Sequence, residues 1–273
     1  MKFFKRKTSI FATAILVAMV LIAIVTPFFH SIDPYYVNAK MRLLPPSRHN
    51  LFGTDQFGRD ILARTLAGSR VSLIVGVSVA LLSLVFGIPL GLISGYFRPA
   101  SSVLMRIVDA LMAFPSILLA LALMAILGKP SIVNVVIAVG IVYIPRVARL
   151  VYSATLVLRE TTFVEAARAI GAGTFRILLR HILINLISIV IVQSTFTFAF
   201  AVLEAAALDF LGVGIPPEIP SWGGMINENR LYLTLAPWTV VFPGFFLLIT
   251  VLSLNLLGDN LRDFLDPYLR RLV

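Results

Sequence analysis

The sequence predicts an all-α integral membrane protein with six transmembrane helices, an N-terminal anchor followed by a five-helix core, and both termini in the cytoplasm. Three observations predict it. Of 273 residues, 59% are hydrophobic and only 13% charged, and the mean hydropathy is +0.97; an average soluble domain is about 25% charged. Six runs have the apolar length of about 18 residues that a bilayer core requires. Lys and Arg are also shared unequally between alternate connections, as membrane insertion demands.

The first run, Ile10 to Phe29, follows Lys2, Lys5, Arg6 and Lys7. It is longer than the roughly 7–15 apolar residues of a cleavable leader, and His30-Ser31-Ile32-Asp33-Pro34 follows where a small-residue cleavage site would stand. It reads as a retained anchor helix. The other spans are Val71–Tyr96, Ile107–Leu127, Ile132–Val151, Leu183–Leu211 and Thr239–Leu257. Pro89, Pro115 and Pro243 fall inside spans, where neighbouring helices re-satisfy the carbonyls they free. Gly87, Gly91 and Gly95, spaced by four, predict a close helix–helix approach.

With the amino terminus inside, the cytoplasmic connections hold fifteen Lys and Arg, including Arg98, Arg106, Arg146 and Arg149, against eight outside. This asymmetry sets the orientation. The chain then divides into a cytoplasmic start and anchor (1–30), an external segment (31–70) with a short interfacial helix over Arg59–Ser69, a core (71–258) carrying a cytoplasmic loop at 152–182, and a cytoplasmic tail (259–273). No connection is large enough for a separate catalytic domain.

The net charge of +10 comes from loop residues without an aromatic-interleaved basic patch, which argues against nucleic acid as a partner and leaves the lipid bilayer. There is no cysteine, so disulfides, thiolate metal sites and thiol nucleophiles are excluded. His30, His49 and His181 lie in three separate segments without metal-ligand spacing. No Gly-x-x-x-x-Gly-Lys-Ser/Thr run is present, so the chain is not expected to bind ATP and Mg, or to act as an enzyme, by that route.

The most informative stretch is Thr162-Phe163-Val164-Glu165-Ala166-Ala167-Arg168-Ala169-Ile170-Gly171. Thr162 with Glu165 forms a capping-box pattern, the alanines favour a helix, and Gly171 and Gly173 stop it. Thr174 then starts a second helix through Phe175 and Arg176 toward His181. The result is a helix–turn–helix whose small-residue face and arginines suit docking on a partner; a plain surface loop packed on its own bundle is the alternative.

Glu165-Ala166-Ala167, three residues, then Gly171 resembles the signature of ATP-binding-cassette importer permeases, the segment that contacts the ATPase subunits in that family. The resemblance assigns coupling to Glu165, Ala166, Ala167, Arg168, Gly171, Ala172, Gly173, Phe175 and Arg176. His181 and Leu183 fit the end of the signature, but Ile184 stands where the family has proline, which predicts a helix running on into the fifth span. Three further stretches are similar to dipeptide, oligopeptide and nickel importer permeases: His49 to Asp60, Phe210-Leu211-Gly212-Val213-Gly214 with Pro216-Pro217 and Ser221-Trp222-Gly223, and Asn255 to Asp263 with Asp266-Pro267. The layout is like the second of their two permease subunits. The resemblance implies a bacterial inner-membrane complex with a related permease, two ATPase subunits that hold the ATP and Mg, and an external solute-binding protein. It implies short peptides as cargo, with nickel or a nickel chelate as the alternative.

Ionisable groups within spans face a bundle interior or a watery path. Glu204 and Asp209, about 140° apart around a helix, cannot share one pore line. Glu204 with Gln193 is the translocation-path candidate, set against a structural bond for Glu204 to a neighbouring helix. Asp209 suits a turn at the helix end; Asn134, Gln193 and Asn255 suit interhelical bonding. An ATPase-independent transporter would show internal repeats or a relay of membrane charges, and a membrane enzyme a nucleophile–base or metal set; neither pattern is evident.

Overall fold

The structure, a computed structural model, describes residues 7–26 and 33–265. The end of the first span at Phe29, His30, three of the N-terminal basic residues, Arg270, Arg271 and the Asp266-Pro267 pair lie outside the described residues.

Ten α-helices follow in order: α1 (Lys7–Val25), α2 (Ile61–Tyr96), α3 (Arg98–Met112), α4 (Ser116–Leu127), α5 (Ile132–Leu158), α6 (Thr162–Ala169), α7 (Thr174–Arg176), α8 (Ile184–Phe210), α9 (Trp222–Asn229) and α10 (Trp238–Leu265). A π-helical segment, Ile177–Leu183, joins α7 to α8 without a break, so one helical rod runs from Thr174 to Phe210. With Ile184 in place of proline, the backbone N–H and the space beside the preceding turn are retained, and the helix continues.

Among the described residues, five helices are long and apolar enough to cross a membrane, and the α3–α4 pair makes a sixth only as a bent unit. The expected span Ile107–Leu127 is bent: the axes of α3 and α4 meet at 97°, with Pro115 as the N-cap of α4. Proline disfavours the helical conformation in the residue before it, and the chain turns at Ala113-Phe114. Pro89, Pro145 and Pro243 remain inside helices. The separate interfacial helix over Arg59–Ser69 is corrected. Asp60 caps Ala63 at 2.8 Å, and from Ile61 onward the helix continues unbroken through Tyr96, because neither Gly68 nor any proline interrupts its first turns. Helix α5 runs seven residues past the expected Val151, to Leu158.

The core is the α2–α5 contact, with α4, α8 and α10 packed around it. A Cβ added at Gly91 would lie 2.6 Å from the Ala148 carbonyl oxygen, and one at Gly95 would lie 2.6 Å from Thr155 Cβ. Only hydrogen fits there, so the glycine ladder lets α2 lie directly on α5. Val75, Val79, Ala138, Val139 and Leu208 fill one half of the bundle, and Leu92, Val147, Val151 and Ile182 the other. Helix α1 packs on the outside, against α2 and α10.

Candidate functional site

The α6–α7 element projects from one end of the bundle. Val164 turns inward onto Ile177, Leu178 and Ile182, and Ala167 is buried as well. The stop at Gly171 is a Schellman motif: Gly171 N–H donates to the Arg168 carbonyl and Ala172 N–H to the Ala167 carbonyl, both at 3.0 Å. This requires a left-handed residue, and Gly171 has φ +84°. The expected capping box is corrected. The N-cap is Thr161, its hydroxyl donates to the Leu158 carbonyl at 2.5 Å, and no side chain caps α6. Helix α6 follows α5 so closely that Thr161 is still held by the end of α5, leaving Thr162 one position too late.

Of the sequence-predicted coupling residues, Glu165, Ala166, Arg168, Gly171, Gly173, Phe175 and Arg176 are exposed, Ala172 is half-buried and Ala167 is buried. Ile170 and Phe175 are 86% and 74% exposed. Arg168 lies over the Tyr96 ring at 5.9 Å, and Arg159 donates to the Gly95 carbonyl at 2.8 Å. These contacts tie the element, and the end of α5 that precedes it, to the end of α2.

Glu204 and Gln193 are not brought together. Glu204 is 7% exposed. The Tyr143 hydroxyl on α5 interacts with it and with Arg146, whose guanidinium carbon stands 4.6 Å over the Tyr143 ring. Gln193 donates to Thr197 on its own helix at 3.3 Å and lines a cavity of about 740 Å³ between α5, α8 and α10, with Asn185 and Arg262 at its rim. Asn134 donates to the Lys129 carbonyl in its own loop. The interhelical bonding expected of Gln193 and Asn134 is therefore corrected to local bonding: each amide has a nearer partner on its own segment.

At the opposite end, residues 33–60 form a plate over α2, α9 and α10. Trp238 donates to the Thr54 carbonyl at 3.2 Å, and Phe52 stacks on Phe242 at 3.9 Å. Beneath the plate lies a charge cluster that reading the sequence missed. Arg59 bonds Asp55 at 2.5 Å and Glu228 at 2.6 Å, while Arg64 bonds Glu228 at 3.2 Å. The Asp55 side chain is 0% exposed and that of Arg64 1%. Arg64 inside an apolar helical run was the available signal, since a buried arginine demands partners; Glu228 gave none. Trp222, fully buried, donates to the Thr65 carbonyl at 3.0 Å. Asp209 accepts from Ile215 N–H and the Ser221 hydroxyl and fastens the turn after α8.

A bundle of apolar helices with an exposed apolar and basic element at one end and a fastened plate at the other defines a multi-pass membrane protein. Residues 87–271 match the family described as binding-protein-dependent transport system inner membrane component, and residues 1–46 match the N-terminal transmembrane domain of oligopeptide transport permease C. The chain is 45% identical, over 97% of its length and 90% of the relative's, to a putative peptide transport system permease protein of Brucella suis. It is 46% identical to the dipeptide transport system permease protein DppC of Alkalihalophilus pseudofirmus, over 97% of this chain and 88% of that one. The glutathione transport system permease protein GsiD of Escherichia coli is 43% identical, over 98% and 89%. In fold, the chain is similar to a chain of the inward-facing MetNI methionine ABC transporter, with TM-score 0.62 and 20% identity over 76% of this chain and 96% of that one. The chain belongs to the binding-protein-dependent transport system inner membrane component family, and is a multi-pass protein of the bacterial inner membrane.

Proposed function

We propose that this chain is a permease subunit of an ATP-driven importer of short peptides, coupled to its ATPase partners through the α6–α7 element. The observation that carries the coupling is the exposure of Ile170 and Phe175 beside Arg168 and Arg176 on a projection that is itself firmly tied to α2 and α5. Apolar side chains of that size on a polar projection mark an interaction site. The peptide reading rests on the relatives, which are named for peptide, dipeptide and glutathione transport.

In this reading, both termini and the α6–α7 element face the cytoplasm, and the residue 33–60 plate faces an external solute-binding protein. A related permease completes the path, to which Glu204 and Gln193 contribute. ATP and Mg belong to the ATPase partners, and no chemistry occurs in this chain. Closure of the ATPase pair pulls on α6; because α6, the π-helical segment and α8 share one apolar cluster, the pull reaches the bundle as a rigid-body shift.

The test is co-purification in mild detergent with Ile170→Asp. The ATPase subunits should be retained by the parent chain and lost from the variant, while the related permease stays bound to both. Equal retention of the ATPase subunits would refute coupling through this face.

A further inference from the structure

The α3–α4 break lies part-way along the length of the bundle. Helix α4 has 12 residues, about 18 Å at 1.5 Å each, against a hydrocarbon core of about 30 Å. It is joined to α5 by the short turn at 128–131 and packs on it through Ala120 and Met124. Counting back along this hairpin sets Ser116 at the level of Tyr143. Ile117 packs against the cluster that contains Tyr143. At that level Ala113, Phe114 and Pro115 are all exposed, Phe114 by 60%. The first turn of α4 has no side-chain cap.

Non-helical backbone at membrane depth is tolerated only where protein buries it or where it lines water, since lipid cannot bond its polar groups. This chain leaves the break uncovered. The second observation is independent of the first. At the level the hairpin assigns to Ser116, the Tyr143 hydroxyl interacts with both the buried Glu204 carboxylate and the half-buried Arg146 guanidinium, which pairs with no carboxylate among the described residues. Charges at such depth face a bundle interior or a water-filled path.

We propose that the Met112–Pro115 break forms the wall of the translocation path at its midpoint, with Glu204, Tyr143 and Arg146 as the charged group beside it. The break places the bulky, exposed Phe114 on that wall. Beside that wall a cation and an anion meet through a phenol, a pattern that fits a zwitterionic cargo bearing one ammonium and one carboxylate. This rests on the permease reading above.

The test uses the complete complex in liposomes, with the partner subunits cysteine-free; this chain has no native cysteine. ATP-driven uptake by the parent complex is measured first, and its absence would count against the permease reading itself. Phe114→Cys, with Ala113→Cys as a second probe, is then treated with cationic and anionic water-soluble methanethiosulfonates in the nucleotide-free and ATP-bound states. Val17→Cys on the outward face of α1 is the lipid-facing control. In at least one state, the probe at the break should react at least about tenfold faster than the control, because charged reagents do not enter hydrocarbon. Arg146→Gln should lower the anionic-to-cationic rate ratio at the probe by about threefold or more, and Glu204→Gln should raise it, as expected for unit charges facing the same chamber. Normal uptake with both probes silent in both states would overturn the proposal, whether lipid or a dry contact with the second permease covers the break. A rate ratio indifferent to both charge substitutions would remove Glu204 and Arg146 from the wall.

Discussion

The carboxylate of Asp209 accepts a hydrogen bond from the hydroxyl of Ser221 at 2.6 Å, closing the chain between α8 and α9 across twelve residues. Its other oxygen holds Ile215 N–H at 2.7 Å. Asp209→Ala would leave both donors buried without an acceptor, at about 1–3 kcal/mol each. We expect a clear fall in the thermal midpoint of the purified protein in detergent. An unchanged midpoint would show that the turn is held by the packing of Trp222 instead.

The cluster of Asp55, Arg59, Arg64 and Glu228 carries two positive and two negative charges. Glu228→Gln keeps the shape but removes the charge that both arginines share. Breaking a buried pair from one side costs about 3–5 kcal/mol, so the plate of residues 33–60 should loosen. The check is hydrogen exchange, with faster exchange at Asp55 N–H and Arg59 N–H in the variant than in the parent. Because the cluster is buried, added salt should change the parent little.

Gly91→Leu would place a side chain where even a Cβ comes within 2.6 Å of the Ala148 carbonyl oxygen and of Val151 Cβ. Both neighbours belong to the α5 helix and have no room to withdraw. Overpacking of this kind costs about 1–3 kcal/mol or more. The measurable result is reduced folded protein in the membrane and a lower thermal midpoint. Val85→Leu, at an exposed position on the same helix, is the control and should be neutral.

Gly171→Val behaves differently, since nothing lies within 4 Å of the added Cβ. The penalty is conformational only: φ +84° is a left-handed angle, costing roughly 1–2 kcal/mol for an L side chain and more for a β-branched one. Assembly in membranes should be retained, while ATP-driven uptake falls several-fold because the turn that presents Ile170 and Phe175 is deformed. Uptake equal to the parent's would remove the turn from the coupling mechanism.

Pro89, Pro115, Pro145 and Pro243 all lie in apolar surroundings, yet only Pro115 ends a helix. Hydropathy summed over Ile107–Leu127 is blind to a bend, because it counts side chains and not axis direction. Whether a proline breaks a helix depends on how neighbouring helices satisfy the freed carbonyl, and those neighbours are distant in sequence. The glycine ladder was easier to read. Its spacing of four places all three residues on one face whatever the fold, and only the identity of α5 as the opposing helix had to come from the structure.

The coupling element shows the same division. Gly171 as a helix stop and Ile184 as a residue that permits continuation are local properties of the backbone, legible in a few neighbouring residues. That Thr161 and not Thr162 is the cap depended on where α5 ends, seven residues later than its hydropathy suggests.

Membrane residence, the number of apolar runs, the glycine faces and the family signature are all written in short-range pattern, since solvent preference and backbone propensity act residue by residue. The bend at Pro115, the pairing of Arg59 with Glu228 across 169 positions, and the meeting of Tyr143 with Glu204 emerged only once the helices were packed. Electrostatic and steric partners are chosen by distance in space, and chain order does not encode that distance.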